Sequence, residues 1–506
     1  MIDTQTAPTQ TKKGLEILAA GLVLGIIGDL LLRAQPWGLN VTLCALALTG
    51  AAALLVRRHN VTPGPDAPWL AITVVLLGAA FMRRDAQGLE QFDVIAMIIA
   101  LALGAASLQG ARLMGQRPFD YVRDGITAAA GTIGGGLMLV GKDIDWHELP
   151  QEGRMRRLRT VGLGVLLAAP LLVVFGALFA SADSVFANVL QNMFSVDLDA
   201  VGQHTAMIGV WGALTAGYLR WGFIGQRAAP AAETSTAGAL GIGPVGTALG
   251  LLNLMFLLFV VVQLRYFFGG ASIIEETTGL TYAEYARQGF FQLTAASALV
   301  LPVMMGADHM VRHETPANLT TFRRLAGLLL VLLAVVMASA LQRMRLYVGA
   351  FGLSEDRLYA TGFMVLLLGV FAWFGWTVLR GLREKFAFGA LIQGFAVLAG
   401  LHVLNPDAFI VRTNLHRDAV ERPFDVEYAL TLGADAVPPL LEAFSSFDAA
   451  GQCAVATKLL KDWSPSPTGA DWRTWNWSRS RARRLVAERA DGLRALNCAP
   501  KPSSSE

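Results

Sequence analysis

The stretch that decides the fold is RYFFGGASIIEETTGLTYAEYARQGFFQLTAASALVLPVMM, residues 265–305. It begins where one apolar run, Val245–Leu264, stops, and it ends inside another, Gly289–Met305. Between the two lies a polar segment with its own local logic. Thr281-Tyr282-Ala283-Glu284 has the form of a capping box, in which the Thr hydroxyl and the Glu carboxylate satisfy each other's backbone N–H groups. A helix is therefore expected to start at Tyr282, outside the membrane, and to enter it through Gly289. Gly269, Gly270 and Gly279 permit tight turns ahead of that helix. Glu275, Glu276, Glu284 and Arg287 place charge close to the membrane surface. Such a segment reads either as a solvated loop or as part of a recognition surface. Its recurrence on one side of the membrane, developed below, favours the second.

Composition sets the class. Of 506 residues, 54% are hydrophobic and 16% charged, with a mean hydropathy of +0.49. Soluble domains carry about 25% charged residues, so the deficit points to a polytopic membrane protein. A net charge of +3 argues against a nucleic-acid partner. Three cysteines, Cys44, Cys453 and Cys498, exclude a cysteine-rich metal framework. Lys12 and Lys13 precede an apolar run that Asp29 interrupts without a convincing cleavage site, so the run is expected to be a retained first span.

A helix that crosses the hydrocarbon core needs about 20 mostly apolar residues. Eleven runs qualify or nearly so: Leu15–Leu32, Leu39–Val56, Trp69–Met82, Phe92–Leu108, Val161–Ala180, Thr205–Trp221, Val245–Leu264, Gly289–Met305, Leu325–Leu341, Tyr359–Leu379 and Phe386–Leu404. Tyr121–Val140 is weakly apolar and Gly-rich, and is expected to be interfacial or re-entrant. On this count one side receives 20 Lys and Arg in its connecting segments and the other 8. The excess places the N-terminus in the cytoplasm, and an odd number of crossings then puts the C-terminal segment outside. The expected organisation is a four-span region (1–120), a Gly-rich and basic cytoplasmic segment (121–160), a seven-span core (161–404) and a soluble helical domain (405–506).

In that last segment, helical patterns run over Ala436–Phe447, Ala449–Trp463 and Trp472–Leu496, punctuated by Pro438 and by Ser464-Pro465-Ser466-Pro467. In an exported domain Cys453 and Cys498 can pair, but spacing alone does not bring them together.

Four polar segments near the later spans carry the remaining information: 179–190, 265–292, 343–360 and 404–418. On the eleven-span arrangement all four lie outside. Ser181 before Asp183 can cap a short interfacial helix. Ser354 before Glu355 and Asp356 places carboxylates at the favourable end of a helix dipole. Asn405-Pro406-Asp407 reads as the exit of the last span. Arg343, Arg345, Arg357, Arg412 and Arg417 can pair with Asp183, Glu275, Glu276, Asp356 and Asp407 in a structural network. The same groups, with Asn414, can instead hold an anionic ligand or a lipid headgroup.

Five quoted stretches, SADSVFA (181–187), TYAEYARQGFFQL (281–293), RMRLYVGAFGLSEDRLYA (343–360), NPDAFIVRTNLHR (405–417) and, more weakly, DWRTWNWSRSRAR (471–483), resemble a bacterial family of polytopic membrane proteins catalogued only as a domain of unknown function. The resemblance covers roughly residues 161–490. It implies an inner-membrane location and brings no activity.

Ionisable residues inside spans are costly and are functional candidates by default. Asp29 is expected near the headgroups and His402 in an end-of-helix polar contact. Asp308-His309 and His313-Glu314 share helical spacing that can hold zinc, but the stretch lacks a metalloprotease Glu and reads as a solvated loop. No phosphate-binding loop or nucleophile elbow stands in context. The sequence therefore predicts an all-α polytopic bundle without cofactor or metal, non-enzymatic, using a periplasmic face to bind membrane lipid or a periplasmic protein. The alternative is a transporter or lipid flippase for a small or amphiphilic substrate.

Overall fold

The computed structural model describes residues 10–146, 198–227, 242–278, 290–311, 315–417, 423–464, 471–496 and 498, with isolated positions between 164 and 183. All regular structure among them is helical. The long helices are α1 (Gln10–Leu32), α2 (Leu39–Arg58), α3 (Ala67–Arg83), α4 (Gln87–Leu108), α5 (Pro118–Met138), α6 (Leu198–Phe223), α7 (Ile242–Thr278), α8 (Phe290–Val311), α9 (Pro316–Phe351), α10 (Glu355–Thr377) and α11 (Phe386–Leu404). Eight helices among the described residues are long and apolar enough to cross a membrane: α1, α2, α4 and α7–α11. The chain is a multi-pass membrane protein. α3 is apolar but shorter. The capping box at Thr281 and the cap at Ser181 lie outside the described residues.

The helices alternate between two ends of the bundle. At the first end, Gly64 N donates to Ser107 O (2.7 Å) and Gly115 N to Glu384 O (3.3 Å), which ties the α2–α3 and α4–α5 connections together and to the start of α11. Arg383 meets Asp308 at 2.8 Å there, joining the end of α8 to the approach to α11. At the second end, Leu353 N donates to Asn414 Oδ1 (2.6 Å). One apolar core joins α7–α11 around Met304, Phe322, Leu329 and Phe374. A second joins α1, α2 and α6 around Ile17, Leu24 and Leu219. α11 bridges them, packing Phe395 and Leu398 against α3 and α4.

Small residues set the closest helix crossings. A Cβ added at Gly25 of α1 would stand 2.6 Å from Ile208 O of α6, and one at Gly217 of α6 would stand 2.1 Å from Thr132 O of α5. Backbones that approach this closely pack without polar glue, which accounts for the glycines of 131–136. α5 starts at the first end, where Asp124 pairs with Arg227 (2.5 Å) just past α6. It climbs α6 until Gly136 meets Ala213. The π-helical turn Leu139–Asp143 then reverses the chain, and Asp143 pairs with Arg220 and accepts from Gln10 Nε2 (3.3 Å). Both ends of this segment thus meet the same end of the bundle.

The chain leaves α11 through Asn405, whose left-handed backbone (φ 59°) lets helix α12 (Pro406–Leu415) start at once. Pro406 sits at its first turn, where a missing N–H costs nothing. Then follow α13 (Val426–Ala429), α14 (Val437–Glu442), α15 (Ala449–Trp463) and α16 (Trp477–Arg494). α15 matches the predicted boundaries; the other two patterns are shortened, and a 3-10 turn at Trp472–Thr474 precedes α16. These helices bury their own core of Val437, Leu441, Val455, Leu459 and Val486, and Cys453 and Cys498 are disulfide-bonded, with Cα atoms 5.5 Å apart.

Candidate functional site

The second end of the bundle is closed by a polar seam between the C-terminal helices and the α1–α2 and α3–α4 turns. It is built from the end of α3. Arg84 donates through Nε and Nη2 to His402 O (3.1 and 2.8 Å) and through Nη1 to Asp435 Oδ1 (3.1 Å). Asp85 accepts from Ala434 N (3.1 Å) and from Arg479 Nη1 (3.2 Å), while its own amide donates to Asp435 Oδ2 (3.1 Å). Asp435 also accepts from Asn405 Nδ2 (3.0 Å). The Ser478 hydroxyl lies 2.7 Å from Asp435 Oδ1 and 2.8 Å from Arg83 O, and its one proton serves either.

The turn before α16 reads the membrane helices through their backbone. Asn476 is almost fully buried. Its Oδ1 caps α16 by accepting from Arg479 N (3.0 Å), and its Nδ2 donates to Phe81 O (2.8 Å) and Arg84 O (2.7 Å). Leu39 N donates to Trp475 O (2.8 Å), and Arg479 reaches Trp37 O. Asp407 accepts from Gly433 N through Oδ2 (2.8 Å), while its Oδ1 is buried with no hydrogen-bond partner among the described residues. Burial, reinforced by the Glu355 carboxylate, pushes the Asp407 carboxyl up to about 8. Burial also raises Asp85, against the opposing pull of Arg479, and lowers the Arg479 guanidinium.

The residues singled out from sequence separate into groups. Asn405 and Asp407 belong to the seam, and Glu355 adjoins it, its amide accepted by the Tyr428 hydroxyl at 2.9 Å. Ser354 does precede α10, but without a side-chain cap bond. A second group surrounds the α9–α10 turn: Asn414 brackets Leu353 through N and O, Arg417 donates to Gly349 O (3.3 Å), and Arg357 donates to Gly352 O and lies 4.1 Å from the Tyr347 ring centroid. Asp356 shares the first turn of α10. Arg343 is buried and donates to Gln263 Oε1 (2.7 Å). Arg412 faces Glu442 at 3.9 Å, and Arg345 is exposed. Among these, the arginine partners differ from those expected: Asp407 takes a backbone N–H, and Arg412 takes Glu442. Asp183 lies at the end of a turn, its amide donating to Phe179 O. Glu275 and Glu276 fall within α7; Glu284 and Arg287 lie outside the described residues.

Sequence reasoning missed the centre of the seam: Arg84, Asp85, Asp435, Asn476, Ser478 and Arg479. It also missed the partners of two histidines. His402 Nε2 lies 2.8 Å from Asp93 Oδ1, and His204 Nδ1 lies 2.6 Å from Asp29 Oδ2. Asp93, an acid inside an apolar run, was the available signal. No group of three or more metal-ligating side chains occurs among the described residues; His313 lies outside them.

Residues 71–443 match the family described as "Domain of unknown function (DUF4153)", and the chain belongs to that family. The match starts within α3, earlier than the quoted stretches suggest, and ends before 471–483. No curated protein and no solved structure matches the chain.

Proposed function

We propose that this DUF4153 chain is a non-enzymatic component of the bacterial cytoplasmic membrane whose C-terminal helical cap lies on the periplasmic side and binds lipid or a protein partner there. The seam carries this reading. Its buried hydrogen bonds fix the cap to one end of the bundle, while Arg83, Arg345 and Arg481 remain exposed on the same end. The Lys and Arg excess belongs to the opposite end, which is cytoplasmic by the positive-inside tendency. The Cys453–Cys498 disulfide suits an oxidising compartment. Eleven crossings follow if α3 and α6 span, α5 enters and leaves on the cytoplasmic side, and Val161–Ala180 supplies the change of ends between Trp146 and Leu198.

The test is rescue of a deletion strain. The pair Arg345→Ala and Arg481→Ala should keep normal protein level and lose rescue, whereas Asp407→Ala should lower the protein level itself. Full rescue by the exposed pair would overturn the reading. A transporter for a small or amphiphilic substrate is the second reading, favoured by the Asp93–His402 and Asp29–His204 pairs inside apolar helices. Dissipation of a pH gradient in proteoliposomes that is lost on His402→Ala would put it first.

A further inference from the structure

Beside the seam opens a cavity of about 360 Å³ between the ends of α3 and α11, α12 and the start of α16. Its lining combines cationic and apolar side chains. Arg83, Arg412 and Arg481 are exposed around it, and the guanidinium groups of Arg83 and Arg481 make no ion pair or hydrogen bond among the described residues. The Arg412 contact to Glu442 is long, at 3.9 Å, between two exposed groups, and exposed pairs at such distances hold little energy. The acid in the lining, Asp435, is already engaged by Arg84, Asn405, Ser478 and the Asp85 amide, so the cavity keeps a positive excess.

The apolar part faces outward. Val403 and Leu404, at the end of a membrane-length helix, are 79% and 40% exposed, and Trp477 is 55% exposed. Trp472 and Trp475 are exposed as well, and the Trp475 carbonyl accepts from Leu39 N at the start of α2. Tryptophans in this position gather at the headgroup level of a bilayer. Guanidinium groups at the same depth are matched to phosphate oxygens. A free anion would use the arginines and leave the apolar rim unexplained; an acyl chain leaving a bound headgroup along Val403 and Leu404 uses both.

We propose that this cavity is a binding site for an anionic phospholipid, with the headgroup phosphate between Arg83, Arg412 and Arg481 and the acyl chains along the end of α11. The site rests on the proposed reading only in that this end lies at a membrane surface. It is tested on the full chain in nanodiscs holding equal phosphatidylglycerol and phosphatidylcholine, with retained lipid read by native mass spectrometry. The chain should retain phosphatidylglycerol selectively. Each basic group near the surface contributes about 1 kcal/mol, so replacing all three arginines by Gln should cut the enrichment by about a hundredfold. Lys461→Gln, an exposed cation on α15 outside the cavity lining, should leave it unchanged. Equal retention of the two lipids, unchanged enrichment in the triple variant, or full displacement by inorganic phosphate overturns the site. Loss of enrichment with deletion-strain rescue intact would instead leave the site standing and remove the outer-face function.

Discussion

Gly433→Ala isolates the contact between the cap and the α3–α4 turn. A Cβ built at Gly433 would stand 1.8 Å from Asp85 O. Gly433 has φ −71°, a value alanine adopts freely, so the substitution acts through space alone. Real Cβ contacts do not fall below 3.0 Å, so the turn must retreat by 1.2 Å or more, the difference between those two distances. That retreat breaks the bonds from Gly433 N to Asp407 (2.8 Å) and from Ala434 N to Asp85 (3.1 Å). A hydrogen bond to an ionised group is worth about 1.5–3 kcal/mol and one to a neutral group about 0.5–1.5 kcal/mol; burial keeps Asp407 largely protonated at neutral pH, so docking should weaken by about 2–4.5 kcal/mol. Hydrogen exchange reads this locally. Amides at 83–86 and 433–436 should exchange about 30- to 2,000-fold faster, while α15 and α16, with their own core and disulfide, keep their protection. Gly492→Ala is the control, since nothing lies within 4 Å of its added Cβ. Unchanged exchange at 83–86 in Gly433→Ala, with the protein folded, would refute the claim that this turn seats the cap.

Asp407 gives the seam a pH dependence. Its carboxyl is raised from an ordinary 3.8 to about 8, so the folded state binds the proton more tightly than the unfolded chain does. The contribution is fully present below about 4 and is lost as pH rises through about 8. Asp407→Asn keeps an oxygen for the Gly433 amide and cannot ionise, so its stability advantage over the parent should grow across that window, to at most about 6 kcal/mol; thermal unfolding at pH 5 and pH 9 samples most of it, and a pH-independent difference contradicts it. The disulfide closes 45 residues, which in the chain-entropy account is worth about 4 kcal/mol. Cys453→Ser should therefore lower cap stability by up to about that amount, and alkylation of Cys453 and Cys498 in the parent should need prior reduction, unlike that of the free Cys44.

What the sequence made legible was apolar periodicity and local punctuation. The runs that became α1, α2, α4 and α7–α11 stand out because a membrane helix must satisfy its backbone internally and present apolar side chains. The start of α10 at Ser354 and the turn at Asn405 were legible through local residue chemistry. The seam was not, because its bonds join residues 395 apart in sequence, as from Asn476 to Phe81. Two of its acceptors are main-chain carbonyls, Phe81 O and Arg84 O, which any residue supplies. Asp407 carries a local signal that points to the wrong partner: the sequence offers it to an arginine, while its carboxyl meets an amide 26 residues on. Distance in the chain, not weakness of the interaction, hid these contacts.

That the cap is joined by buried hydrogen bonds as well as by apolar packing against Leu353 and Leu358 has a consequence for where it can sit. Apolar contacts alone would be indifferent to rotation, since the surrounding lipid-facing helices are apolar too. Asn476 removes that freedom: its amide satisfies Phe81 O and Arg84 O together while its oxygen caps α16, and only one placement does all three. Asp435 adds a second fixed point, gathering Arg84, Asn405 and Ser478 from three separate stretches of chain. Two such points define a register, and an unmet buried group at either costs about 1–3 kcal/mol. The register in turn decides which side chains stay outside. With the cap so placed, Trp477 and Arg481 fall beside Arg83 and the exposed end of α11. The polar seam therefore positions the arginine-lined cavity, and disrupting it through Gly433 should remove lipid selectivity without any change to the three arginines.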